Sequence, residues 1–82
     1  MKVHSIYDAG ESTPDRYTVF YSGHGTREKD GTRMCRGMSK NPFHPMGFGQ
    51  MCSGHPGPHC GIKITVADLP PDCQRLVLQD VK

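Results

Sequence analysis

The stretch Arg16-Tyr17-Thr18-Val19-Phe20-Tyr21-Ser22 decides the fold. Aromatic and β-branched residues fill it, the types that suit a pleated, half-buried surface. In an extended chain Tyr17, Val19 and Tyr21 face one way, and Thr18 and Phe20 face the other. The molecule therefore centres on a β-sheet. Upstream, Asp8 to Asp15 is rich in Gly, Pro, Ser and Asp and reads as a turn or loop. Lys2 to Tyr7 reads as a short strand with weak alternation, placing Val3 and Ser5 on one face and His4 and Ile6 on the other. Downstream, Asp30-Gly31 signals a tight turn, because a type I′ turn needs positive φ at both central residues. A ribbon with its tip there pairs Glu28 with Arg33 and returns through Arg33 to Met38. Gly23, Gly25 and Gly37 weaken the ribbon or allow a bulge.

Gly61 to Val66 alternates cleanly, with Ile62, Ile64 and Val66 pointing in and Lys63 and Thr65 out. The end of the chain carries a helix of about 11 residues starting at Pro71, whose missing N–H would be unpaired there anyway. Asp72 complements the positive end of the helix dipole. Cys73, Leu76, Val77 and Val81 form one stripe. So short a helix must pack on something, and the inward face of Gly61–Val66 is the expected partner. The fold class is α+β: a small antiparallel sheet of three to four strands, one C-terminal helix packed on it, and a long ordered loop.

That loop, Ser39 to His59, spans about 20 residues whose Pro and Gly exclude a long helix or a central strand. Loops of this length in small domains are usually functional or disordered. Phe43, Met46, Phe48 and Met51 favour order, since disordered linkers seldom hold so many large apolar groups. The two Phe side chains are expected to serve the core.

The 82 residues make a single small domain, 1–82. Area scaling buries roughly 63% of the unfolded surface, which is marginal. Hydrophobic residues are 34% of the chain, with no Trp, ten Gly and seven Pro. A large enzyme with its own deep cleft is excluded. A membrane-spanning helix is excluded too, as no apolar run approaches the ~20 residues a bilayer needs. The net charge of +2 is too small to imply nucleic acid. Between Arg16 and Lys40, however, six basic residues face two acidic ones. Such a patch could meet phosphate or an acidic protein; the alternative is a solvated hairpin face. No apolar stretch follows Met1-Lys2, so a cytoplasmic location is expected, with free thiols or metal-bound cysteines in place of disulfides.

Three constellations could carry chemistry. Ser22-Gly23-His24-Gly25 is similar to the strand-end histidine motif of metacaspase-type cysteine peptidases, with Cys52-Ser53-Gly54 as a counterpart to their nucleophile. The likeness covers about ten residues, against an enzyme class built on a far larger α/β domain, and the chain is expected not to be an enzyme. Cys52, His55 and His59 have zinc-type spacing in a loop able to wrap an ion, which would also support the small core. Against zinc, no Cys-x2-Cys pair is present, and adjacent His59 and Cys60 rarely reach one ion. No cofactor is otherwise expected. Finally, Arg33, Arg36, Lys40, Asn41, His44 and Gln50 form a candidate binding surface around the aromatic loop, able to stack a ring and pair a phosphate.

Asp15–Val19, Gly37–Pro45 with Gly47-Phe48-Gly49-Gln50, His59-Cys60-Gly61 and Asp68–Gln74, taken in order, resemble a group of short proteins of unassigned activity, many from bacteriophages and phage-like sequences. Their mark is a Gly-Met-Ser-x-Asn-Pro-Phe-His-Pro-x-Gly-Phe-Gly-Gln loop. The resemblance implies a bacterial or infected-cell cytoplasm, a virus-related origin and a central loop that matters. Cys60 stands where the group carries Leu, which weakens Cys60 as a shared metal ligand. The expectation is a non-enzymatic binding module that holds or inhibits a host factor, a protein or nucleic acid. A zinc-stabilised interaction module is the alternative, and a nucleotide or oligonucleotide binder is more remote. An open sheet edge would permit a homodimer.

Overall fold

A computed structural model of the chain describes residues 2–23 and 31–81. Among these residues five antiparallel strands form one sheet: β1 (Lys2–Asp8), β2 (Tyr17–Ser22), β3 (Arg33–Met38), β4 (Gly49–Gly54) and β5 (Ile62–Ile64). Their spatial order is β4-β3-β2-β1-β5. One helix, α1 (Pro71–Val81), closes the chain, and single 3-10 turns lie at Pro58–Cys60 and Val66–Asp68. The α+β class holds. The strand count exceeds three to four because β4 occupies the middle of the expected long loop. Gly49 to Gly54 contains no Pro, and as an edge strand it needs only β3 to satisfy its ladder. The expected Asp30-Gly31 tip and Glu28–Arg33 pairing involve positions outside the described residues, although Gly31 itself has φ of 89°.

The weak alternation of the first strand has a structural cause. Val3 pairs with Tyr21 and Ser5 with Phe20, so a bulge falls between them at His4. The extra residue turns Val3 and Ile6 toward the helix and Ser5 and Tyr7 toward the opposite face. Strict alternation would have put Val3 and Ser5 together.

On the helix side Ile6, Tyr17, Val19, Tyr21 and Met38 pack against Leu69, Cys73 and Val77. Leu76 and Val81 complete the stripe, half-buried against the same cluster. The helix therefore rests on β1, β2 and β3. Ile64 and Val66, as expected, pack half-buried against that core from the sheet's edge, but Ile62, also expected to point in, is 75% exposed. The reason is topological: β5 pairs with β1 at the sheet's far edge, where α1 does not cover Ile62.

The opposite face has its own smaller cluster of Tyr7, Phe20 and Cys35, with Cys60 packed against it. Tyr7 and Phe20 meet edge to face, centroids 5.9 Å apart. Residues 55–61 connect β4 at one edge to β5 at the other across this face. Both faces of a very small sheet are thus covered, one by a helix and one by a Pro/Gly-rich crossover. No helix among the described residues is long and apolar enough to cross a membrane.

Candidate functional site

The β3–β4 connection, residues 39–48, is built from two consecutive turns. The His44 N–H donates to the Asn41 carbonyl at 3.1 Å and the Gly47 N–H to the His44 carbonyl at 2.7 Å. The Met46 N–H donates to His44 Nδ1. At the base, the Ser39 N–H donates to the Phe48 carbonyl at 2.7 Å, and the Phe48 N–H returns to Ser39 Oγ at 2.9 Å. Cys73 anchors the base to the helix by donating its thiol to the Ser39 carbonyl. Pro42 and Pro45 stiffen the path between these bonds.

This scaffold brings three of the six candidate contact residues together. Lys40, Asn41 and His44 line a shallow cleft of about 250 Å³ with Ser39, Met46 and Gly47. Lys40 and Ser39 also border a second cleft of about 370 Å³, shared with Glu11, Thr13, Pro14 and Arg16 of the β1–β2 connection. Arg16 is already engaged there, bidentate to Asp8 and 3.6 Å from Glu11.

The other three candidates lie elsewhere. Arg36 points to the helix side, where its Nε and Nη2 donate to the Asp80 carboxylate at 2.6 Å each. Arg33 stands opposite Gly54, and Gln50 opposite Gly37, on the face away from the helix. Arg33 and Lys63 help to lower the pKa of His4, after burial as the larger cause.

Phe43 and Phe48 are not core residues. They are 42% and 36% exposed, and Met46 is 89% exposed. The guanidinium of Arg75 lies over the Phe43 ring at 4.5 Å. Phe48 reaches toward Gly37 on the opposite face. Met51 stands opposite Arg36 on the helix side of β4. The end of the hairpin is therefore a finger with apolar groups on both sides and at its tip. The interleaved Pro42, Pro45, Gly47 and Gly49 were the sequence signal for this: they keep the large side chains out of any continuous element that could fold them inward.

Among the described residues no three His, Cys, Asp or Glu side chains converge as a metal-binding group. The expected set is dispersed. Cys52 turns toward Cys35, and the His59 ring folds back over Gly57. The Cys60 thiol donates to the His55 carbonyl. His24 and Gly25 of the metacaspase-like motif lie outside the described residues.

Gly47 holds the two turns together, since a Cβ there would overlap the Asn41 carbonyl oxygen. Gly47→Ala is expected to move the amide resonances of residues 40–48 in a nitrogen–proton NMR spectrum while those of β1, β2 and β3 stay in place. Shifts spread through the sheet would show that the finger is not an independent unit. Comparison of the chain with protein-family models, with curated proteins and with solved structures gives no match.

Proposed function

We propose that this chain is a non-enzymatic binding module whose contact element is the β3–β4 finger. One observation carries the reading. Of the six large hydrophobic side chains exposed among the described residues, four (Phe43, Met46, Phe48 and Met51) belong to this hairpin. They border β4, which is exposed along most of its length and has no strand on its outer side among the described residues. Scattered surface apolar residues need no explanation, but a cluster beside a bare strand edge is the chemistry of association. Lys40 adds a cation at the base of the finger, and Arg75 adds one beside Phe43. The complementary partner is a protein surface with an apolar groove and an acidic rim. The resemblance to phage-type loop proteins supports a host-cell protein as that partner, modulated or inhibited by the contact.

A photo-crosslinking residue at Met46, with Ala67 beyond the opposite edge of the sheet as control, tests this in cells. A discrete protein adduct is expected from position 46 and none from 67. Full burial of a side chain like Met46 contributes about 1.5–3 kcal/mol, so Met46→Ser should weaken the isolated complex about tenfold or more. No adduct, or the same adducts from both positions, would refute the finger as the contact element.

A further inference from the structure

We propose that Cys35 and Cys52 form a disulfide-exchange site, with a low-molecular-weight disulfide of the glutathione type as its substrate and a β3–β4 cross-link as its product. The two residues stand directly opposite each other in the antiparallel ladder. Their sulfurs are 2.9 Å apart, with both thiols free. That is well inside the separation of two unrelated sulfurs and outside the S–S bond of about 2.05 Å. Directly paired residues in an antiparallel sheet have Cα atoms about 4.5–5.5 Å apart. Disulfides accept about 4.4–6.8 Å. Direct pairing therefore places the two Cα atoms within the disulfide range.

The two thiols have different surroundings, which divides the roles. Cys52 is exposed on the edge strand, while Cys35 is 3% exposed beneath Phe20 and Cys60. Burial, and then its contact with Cys52, pushes the Cys35 thiol up to about 12. Cys35 thus stays protonated and shielded from an external disulfide. Attack starts at Cys52. Its thiolate bonds to one sulfur of the substrate disulfide, the S–S bond breaks, and the other half leaves as a thiolate. The mixed disulfide now lies against Cys35. Cys35 gives up its proton and bonds to the Cys52 sulfur, and the second half of the substrate leaves, taking that proton as a thiol. With the proton that Cys52 gave up taken by the first leaving thiolate, two protein thiols and one disulfide become one protein disulfide and two small thiols, so the protein pair is oxidised and the substrate reduced. The site shares β4 with the contact element above but does not rest on that reading, because it is argued from the Cys35–Cys52 pairing and sulfur contact alone.

The test is incubation of the full chain with oxidised glutathione, followed by intact mass, peptide mapping and melting. The wild type should lose the mass of two hydrogens, map a Cys35–Cys52 bond and melt about 10 °C higher, as expected when a loop of this length is closed. Cys35→Ala should stall as a persistent glutathione adduct on Cys52. Cys52→Ser should react at neither position, and Cys60→Ser should behave as the wild type. A Cys52 adduct that persists in the wild type, or a bond mapped from Cys35 to Cys60, overturns the assignment. Both readings come from the wild-type chain, so they stand even if a variant folds poorly.

Discussion

Asp80→Ala is expected to destabilise the fold by about 3 kcal/mol, the cost of breaking a largely buried ion pair. For a domain of this size that lowers the melting temperature by roughly 10–20 °C. The Asp80 side chain is 8% exposed and that of Arg36 17%. The carboxylate accepts both Arg36 bonds and the Tyr21 hydroxyl at 2.5 Å. It also stands in the last turn of α1, where a carboxylate opposes the helix dipole and no basic residue of that turn offsets it. Arg36, reaching up from β3, supplies that positive charge. The triad therefore fastens the end of α1 to the middle of the sheet. Removing Asp80 takes the carboxylate acceptor from both the Arg36 guanidinium and the Tyr21 hydroxyl, leaving the guanidinium a long bond of 3.4 Å to the Gly49 carbonyl. Replacing all three groups by apolar ones, as Tyr21→Phe, Arg36→Met and Asp80→Leu together, should recover most of the loss. Urea titration measures both variants. A loss below about 1 kcal/mol for Asp80→Ala would place the pair among ordinary surface contacts.

The same clamp sets the acid limit. Burial alone would raise the Asp80 pKa, but the bonds from Arg36 and Tyr21 outweigh it and hold the group below its ordinary 3.8. Asp8 is lowered too, chiefly by Arg16 and also by the Gly10 N–H, against some burial. Groups depressed on folding stabilise above their unfolded pKa, and that stability is lost as pH falls through the folded value. His4 is also lowered from 6.5, so its small contribution fades first, on the way down from neutral. Stability should then hold until about pH 4 and fall steeply below it. In Asp80→Ala the steep part should be shallower, because the group whose protonation drives it is gone.

What could be read from the chain follows from which interactions are local. Tyr17 to Ser22 and Pro71 to Val81 announced themselves through side-chain period and capping chemistry, which depend only on neighbours in sequence. The helix partner is legible only in part: Gly61 to Val66 has the cleanest alternation and packs Ile64 and Val66 on the helix-side core, yet it pairs at the sheet's far edge and leaves Ile62 exposed. Alternation reports two unlike faces, not how much covers each of them. The role of Arg36 was invisible for the same reason: Asp80 is 44 positions away, and no local pattern joins them. Lys40, Asn41 and His44 were found together because one short turn carries all three. Phe43 and Phe48 have the chemistry of core residues, but the prolines and glycines around them leave the finger no route inward.

Gly61→Ala is expected to cost more than about 3 kcal/mol, the range of backbone strain combined with a steric conflict that cannot relax. Gly61 joins the Pro58–Cys60 turn to β5 with φ of 118° and ψ of −156°, a region that is almost exclusively glycine's. A Cβ there would overlap the Asp8 carbonyl and approach the Ala9 Cα at 2.8 Å. These are main-chain atoms of β1 and its turn, held by the β1–β2 ladder and by the Ala9 N–H bond to the Arg16 carbonyl. No flexible side chain can move aside. Gly10→Ala supplies the internal control. Its φ is 95°, but nothing lies within 4 Å of the new methyl, so only the conformational cost of about 1 kcal/mol applies. The difference between the two substitutions isolates the contact between the crossover and β1. That contact lets a seven-residue segment leave β4, cover Phe20 and Cys35, and deliver β5 to the far edge. Equal losses in urea titration would mean that the Asp8–Ala9 backbone yields and that β5 is held by its three ladder pairs alone.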